Sequence, residues 1–143
     1  MPARYVDQVQ KLDIRSMMAA ALKAGPSDHY NVYQDGSGWH AATNLQVVSR
    51  ARDLVAYIKL DRSAAKGAAR GQILLTVVQR DGRSCEQALW LRAEATQRGR
   101  TRWIALCPCS HQPAQTLYFD MGVQQFVSRQ VAGLKYRRAV RKV

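Results

Sequence analysis

The sequence lacks any apolar run long enough to cross a bilayer. Its longest apolar stretches, residues 17–22 and 73–78, are far shorter than the roughly 20 residues that a transmembrane helix needs. The first residues also lack the charged and then apolar pattern of a secretory signal. These absences predict a soluble cytoplasmic protein without a membrane partner.

Cysteine is scarce, since the chain contains only Cys85, Cys107 and Cys109. An odd number of cysteines without a signal sequence argues against a disulfide framework. Cys107, Cys109 and His111 could form an incomplete or intermolecular metal site, but Cys-x-Cys is too closely spaced for a usual zinc knuckle. We favour ordinary reduced thiols and predict neither a metal nor another cofactor.

The common catalytic signatures are also missing from the sequence. It contains no H-E-x-x-H, no G-x-S-x-G, no phosphate-binding loop and no paired carboxylates. The three histidines, His29, His40 and His111, lie in separate segments. We therefore predict a protein that is not an enzyme, and an enzyme whose site is assembled only by the fold stays as a second alternative.

Acidic residues are few, with 10 Asp and Glu against 22 Lys and Arg, which gives a formal net charge of +12. Such a positive field attracts phosphate backbones or acidic protein surfaces. Basic residues cluster over positions 98–102 and again near the C-terminus, over positions 135–142. The residues predicted to contact a partner are Arg98, Arg100, Arg102, Lys135, Arg137, Arg138, Arg141 and Lys142.

A short amphipathic helix is predicted near the N-terminus, after an irregular segment over residues 1–11. Asp13 can cap its first turn, and Gly25 followed by Pro26 ends it. Apolar residues recur at helical spacing. They are Ile14, Met17, Met18, Ala21 and Leu22. We predict that this face, including Leu22, packs against the core.

After the helix the apolar period changes to two, which is typical of strands. The first predicted strand covers residues 30–32, and its return strand passes through Trp39 and continues over 45–48. Further strands are predicted over 54–60, 73–78, 85–93, 102–106, 115–119 and 124–127. Asp81-Gly82 is the strongest hairpin signal. Residues 61–71 predict a loop in which Arg62, Lys66 and Arg70 could hold phosphate, although a solvated hairpin tip is favoured.

Aromatic residues are spread along these strands. They are Trp39, Tyr57, Trp90, Trp103, Tyr118, Phe119, Phe126 and Tyr136. In a sheet they can fill the core without any ligand, and we favour this role, notably for Trp103. Aromatic residues beside basic ones, as in Arg102-Trp103 and Lys135-Tyr136-Arg137, can also stack on nucleotide bases.

The C-terminal half carries R-W-I-A-L-C-P-C-S over residues 102–110, L-Y at 117–118 and F-V-S-R-Q-V-A-G-L-K-Y over 126–136. This resembles the pattern R-x-W-x-x-x-C-P-x-C, L-Y and F-x-C-R-x-C-x-x-L-x-Y of uncharacterised small zinc-ribbon-like proteins from bacterial genomes and mobile elements. Cys107 falls on the first cysteine, whereas Ser110, Ser128 and Val131 fall on the other three. The resemblance spans roughly residues 12 to 136 and implies a degenerate ribbon that has lost its zinc.

We therefore predict a single mainly-β (α+β) domain over residues 1–143. An N-terminal helix packed on an antiparallel meander occupies 12–100, a degenerate ribbon-like hairpin pair 101–136 and a basic tail 137–143. The preferred function is non-enzymatic binding of nucleic acid or of a nucleic-acid-loaded complex. The alternative is a phage-type mobile-element accessory protein that binds an acidic surface of a host protein machine, such as a defence complex, and inhibits it.

Overall fold

The computed structural model describes residues 4–25, 27–42, 54–61, 70–78 and 83–136. Within these ranges, two helices, α1 (Ile14–Leu22) and α2 (Arg129–Ala132), and a short 3-10 turn at Val6–Gln8 accompany the strands. The strands are β1 (Lys11–Asp13), β2 (His29–Asp35), β3 (Gly38–Ala41), β4 (Leu54–Asp61), β5 (Arg70–Val78), β6 (Ser84–Ala95), β7 (Thr101–Leu106), β8 (Pro113–Ala114), β9 (Thr116–Asp120) and β10 (Gln125–Val127). The predicted mainly-β class with an N-terminal helix is confirmed.

The larger sheet contains, in the described ranges, seven antiparallel strands in the order β3-β2-β4-β5-β6-β7-β8. Apart from the edge hairpin β2–β3, this order is a meander, as the sequence predicts. The predicted hairpin of β5 and β6 is confirmed by the register from Arg70↔Arg92 to Val78↔Ser84. Its turn at Asp81-Gly82 and the apolar residues 45–48 lie outside the described residues.

Helix α1 begins as predicted, because the Asp13 side chain accepts a hydrogen bond from the Ser16 amide at 3.2 Å. Its core face is formed by Ile14, Met17, Met18, Ala20 and Ala21. The prediction for Leu22 is wrong, since this residue is 39% exposed. At about 100° per residue, Leu22 lies at the margin of the apolar stripe and in the last turn of the helix, where the core ends.

The larger sheet curves around α1. The helix contacts β2 and β3 at one end of the strand order and β7 near the other. Curvature of this kind follows from strand twist, and it gives the sheet an inner face around the helix and an outer face. Alternate residues of β4 and β6 fill the core from the inner face. In the chain segments described, no helix is long and apolar enough to cross a membrane.

The smaller sheet contains, among the residues that are described, three antiparallel strands in the order β1-β9-β10. The irregular segment is predicted to extend to residue 11, but Lys11 is the first residue of strand β1. With only Leu12 buried, this strand is too short to show a period, and it exists because it pairs with β9, from Lys11↔Tyr118 to Asp13↔Thr116. A parallel bridge also joins Tyr5 to Lys135.

The side chain of Gln87 joins the two sheets. It lies buried on the inner face of β6, and its amide nitrogen donates to the Phe126 carbonyl at 2.8 Å. The Phe126 amide in turn donates to the Gln87 carbonyl oxygen at 2.7 Å. The side chain therefore satisfies both backbone groups of one residue in β10, as a neighbouring strand would do.

The prediction of a loop over residues 61–71 is wrong at both of its ends. Asp61 is the last residue of β4, and Arg70 and Gly71 begin β5, with Asp61 paired to Arg70. Glycine and arginine gave no strand signal at these positions. A Cβ at Gly71 would lie 2.4 Å from the Lys59 carbonyl oxygen, which explains a glycine inside this strand. Residues 62–69, including Arg62 and Lys66, lie outside the described residues.

The aromatic residues divide into two groups. Tyr118, Phe119 and Phe126 are buried, and Trp39 and Trp103 pack half-buried against the core, as predicted. The core prediction is wrong for Tyr57, Trp90 and Tyr136, which are exposed. Tyr57 and Trp90 lie on strands with the expected alternation, but they occupy the outer face of the sheet.

Candidate nucleic-acid interface

Three of the predicted contact residues come together at the turn between β6 and β7. Arg98, Arg100 and Arg102 line an open cleft of about 460 Å³. Arg15, from the exposed side of α1, lines the same cleft. The sequence gave no sign of Arg15 because it lies more than 80 residues before this turn. Four arginines thus line one surface depression.

The turn that presents these arginines is fixed by Thr96. The Thr96 amide donates to the Arg100 carbonyl at 2.7 Å, and the Thr96 side-chain oxygen accepts from the Arg100 amide at 3.1 Å. Gly99, with φ of +72°, supplies the left-handed conformation that closes the turn. The arginines therefore extend from an ordered backbone.

Glu94 is the acidic residue closest to this cluster in the strand register, where it lies opposite Arg102. Its carboxylate oxygens accept from Arg102 at 2.9 Å and from Arg92 at 2.8 Å. The hydrogen bond from Arg102 is the largest cause that lowers the pKa of Glu94 below its ordinary value, so this carboxylate stays charged at neutral pH. One negative charge faces two arginines, which leaves the surface positive.

A second cleft, of about 640 Å³, adjoins the first at Gln115, which lines both. Arg129 and Tyr136 line it, with the Arg129 guanidinium 4.6 Å from the centre of the Tyr136 ring. Arg129 also donates to the Leu134 carbonyl at 2.9 Å, which holds the guanidinium in place. Tyr136 is the last described residue, and the predicted basic tail follows it directly in the sequence.

Of the remaining predicted contacts, the structure describes only Lys135. Lys135 is exposed, but its backbone is held in the bridge to Tyr5, where its amide donates to the Arg4 carbonyl at 3.0 Å. Neither cleft is lined by Lys135. The other four predicted residues, Arg137, Arg138, Arg141 and Lys142, lie outside the described residues.

The two segments that the resemblance aligns with zinc knuckles lie against each other. The Ser128 amide donates to the buried Cys107 sulfur at 3.2 Å, and the Ser128 oxygen accepts from the Val131 amide at 3.3 Å. Ser128 also caps α2, which ends after four residues at Gly133, with φ of +68°. The positions are therefore near one another, but one thiol, two hydroxyls and an isopropyl group do not fit Zn²⁺.

Cys107, Cys109 and His111 do not form a metal site either. Cys107 is buried, whereas Cys109 and His111 are exposed. Among the residues that the structure describes, no three His, Cys, Asp or Glu side chains are grouped so that they could hold a metal ion.

We expect purified protein to contain no stoichiometric zinc, because the donor set around Cys107 lacks three of the four ligands. A chelator should leave the thermal unfolding midpoint unchanged. Elemental analysis and thermal melts with and without the chelator measure both quantities. About one zinc per chain, with unfolding on chelation, would contradict the prediction.

The Cys107 thiol has an unusual environment. Burial opposes its ionisation, but hydrogen bonds from the Ser110 side chain and from the amides of Ser110, Ser128 and Cys109 outweigh burial. Together they lower the pKa of Cys107 from 9.0 to about 7. Backbone amides that point at a sulfur stabilise the thiolate in the way that they stabilise any anion.

This shift predicts a pH-dependent contribution to stability. Because the folded pKa is depressed, the contribution is fully present above the unfolded pKa, near 9, and is lost as the pH falls through about 7. The stability difference between wild type and Cys107→Ser should therefore grow from about pH 6 to about pH 9. Urea unfolding of both proteins across this pH range measures the difference in unfolding free energy. The titration of all other groups is shared by the two proteins and cancels in this difference. A constant difference would contradict the prediction.

A Ser, His and Asp group at the β2–β3 turn does not have the geometry of a catalytic triad. The same nitrogen of His40, Nε2, lies 2.7 Å from the Ser37 hydroxyl and 3.0 Å from Asp35. In a triad the two ring nitrogens contact the serine and the aspartate separately. Asp35 also accepts from the Ser37 amide at 2.8 Å, so the group stabilises the turn.

Comparison of the chain with family models, with curated proteins and with solved structures found no match.

Proposed function

We propose that the protein binds nucleic acid without catalysing a reaction, and that the arginine cleft is the centre of the interface. The convergence of Arg15, Arg98, Arg100 and Arg102 on one cleft carries this proposal. Guanidinium groups form charge-assisted, bidentate hydrogen bonds with phosphate oxygens. Several of them on one ordered surface suit a polyanion better than a single small anion.

The shape of the surface supports an extended ligand. The arginine cleft continues past Gln115 to Arg129 and Tyr136. The basic residues at 137–142 then follow in sequence. A phosphate backbone that followed this path would meet positive side chains along its length, and the basic residues at 137–142 would add further contacts.

The double variant Arg98→Ala/Arg100→Ala should bind oligonucleotides more weakly, with a shallower dependence on salt. Each lost phosphate contact lowers the slope of log K against log salt by about 0.7 to 0.9. Both side chains are exposed, so the thermal unfolding midpoint should stay close to that of wild type. Fluorescence anisotropy titrations at several salt concentrations measure affinity and slope together.

The matched control is Lys23→Ala/Arg83→Ala, which removes the same charge elsewhere. Lys23 follows the C-terminal end of α1, and Arg83 precedes β6 at the end opposite the arginine turn. An equal loss in both double variants would show that only net charge matters and would count against the cleft. Truncation after Tyr136 measures the contribution of the tail in the same assay.

A further inference from the structure

An apolar patch lies exposed on the outer face of the larger sheet. Trp90 is 60% exposed, Leu74 52% and Tyr57 37%. Tyr57 and Leu74 are directly paired between β4 and β5, and Trp90 lies diagonally from Leu74 on β6. Such neighbours are close enough for aromatic and long side chains to form one continuous surface. Single exposed apolar residues are common, whereas a contiguous exposed apolar patch often marks a binding surface.

A cavity of about 670 Å³ opens beside Trp90. Besides Trp90 and Gln72, its side-chain lining includes the cations Lys59 and Arg70 and the anions Asp28 and Asp61. Two charges of each sign make the cavity close to neutral. It therefore suits an uncharged aromatic ring with donors and acceptors at its edge better than it suits a phosphate.

The strand register connects this patch to the arginine cleft. Arg92 follows Trp90 by two residues on the same face of β6, and Glu94 follows by two more, opposite Arg102. At a rise of about 3.3 Å per residue, Trp90 and Glu94 are about 13 Å apart. The Glu94 carboxylate contacts both Arg92 and Arg102. Arg102 thus lies on the face of the aromatic patch and also lines the arginine cleft.

We propose that this face binds single-stranded nucleic acid, with a base stacked on the Trp90 indole and the neighbouring phosphates on the arginine cleft. The inference rests on the proposed function and specifies its ligand. A base offers its flat side to a protein ring only when it is not paired and stacked inside a duplex. Positive charge on one side of the patch complements the phosphate backbone, and the near-neutral cavity receives the base.

The test compares Trp90→Ala and Trp90→Phe with wild type. The probes are a labelled oligothymidylate, a duplex of mixed sequence and an abasic strand of the same length. Trp90→Ala should weaken binding of oligothymidylate about 5- to 150-fold, whereas Trp90→Phe should retain most of the affinity. Binding of the duplex and of the abasic strand, and the slope against salt, should stay unchanged in both variants.

Quenching of intrinsic fluorescence gives a second measurement. Unlabelled oligothymidylate should quench wild type but not Trp90→Phe, because Trp39 and Trp103 are half-buried against the core. Thermal melts of the variants show that they are folded, which the exposure of Trp90 leads us to expect.

Two outcomes would overturn the inference while leaving the proposed function intact. In one, Trp90→Ala binds oligothymidylate as wild type does, although Arg98→Ala/Arg100→Ala binds it more weakly. In the other, Trp90→Ala changes only self-association in sedimentation, which would make the patch a contact between copies of the chain. If wild type binds none of the probes in a salt-dependent way, the proposed function fails and the inference fails with it.

Discussion

Replacement of Met18 by alanine should lower the free energy of unfolding by about 2 to 5 kcal/mol. Met18 has no exposed surface, and it points from α1 into the core that the larger sheet encloses. Alanine leaves a cavity that neighbouring side chains fill only in part, so both apolar burial and packing are lost. A total stability of about 5 to 15 kcal/mol is usual for a domain, so the loss should be visible as a clear shift in the urea midpoint.

Leu22→Ala is the matched control because it lies on the same helix and is 39% exposed. Alanine favours helix at least as well as leucine, so helix propensity adds no cost. We expect a change below about 1 kcal/mol, which reflects only the part of the side chain that is covered. Equal losses in the two variants would show that Leu22 is as important to the core as Met18, against the structure.

Gln87→Leu should be the second strongly destabilising substitution, although it replaces a polar side chain with an apolar one of similar size. The change leaves the amide and the carbonyl of Phe126 without the partners that they have at 2.7 and 2.8 Å. A buried backbone group without a partner costs about 1 to 3 kcal/mol, and here two groups are affected. Urea unfolding measures the loss.

The control for this substitution is Gln72→Leu, at an exposed position on the neighbouring strand β5. Its effect on unfolding should stay within about 0.5 kcal/mol, as is usual for surface changes. A Gln87→Leu protein as stable as wild type would mean that apolar burial compensates for both lost hydrogen bonds. In that case the link between the sheets through Gln87 would not contribute to stability.

Elements with a strong local pattern were predictable from the sequence. The hairpin of β5 and β6 shows alternation on both strands around a turn signal, and α1 shows a helical period with a capping aspartate. The errors concern residues whose position depends on distant partners. Strand β1 exists only because β9 pairs with it, and the outward direction of Trp90 depends on which face of the sheet encloses α1.

The residues of the candidate site likewise include some whose proximity the local sequence indicates and others that only the fold brings together. Arg98, Arg100 and Arg102 belong to one turn and its following strand, so their proximity could be inferred from the sequence. Arg15 reaches the cleft from α1, and no spacing in the sequence relates it to residues of the β6–β7 turn. The contact between Ser128 and Cys107 joins positions 21 residues apart, and no local pattern in the sequence indicates it.

Strand β1 also constrains the order in which the chain can fold during its synthesis. Lys11 pairs with Tyr118, so more than 100 residues are added after β1 before its partner strand exists. At about 5 to 20 residues per second, this interval lasts roughly 5 to 20 seconds. During it, α1 can pack against β2 and β3, which follow it closely in the sequence, whereas the backbone of β1 has no strand to pair with. The smaller sheet therefore forms last, and a nascent chain that stalls before residue 116 presents β1 as an open edge to other chains.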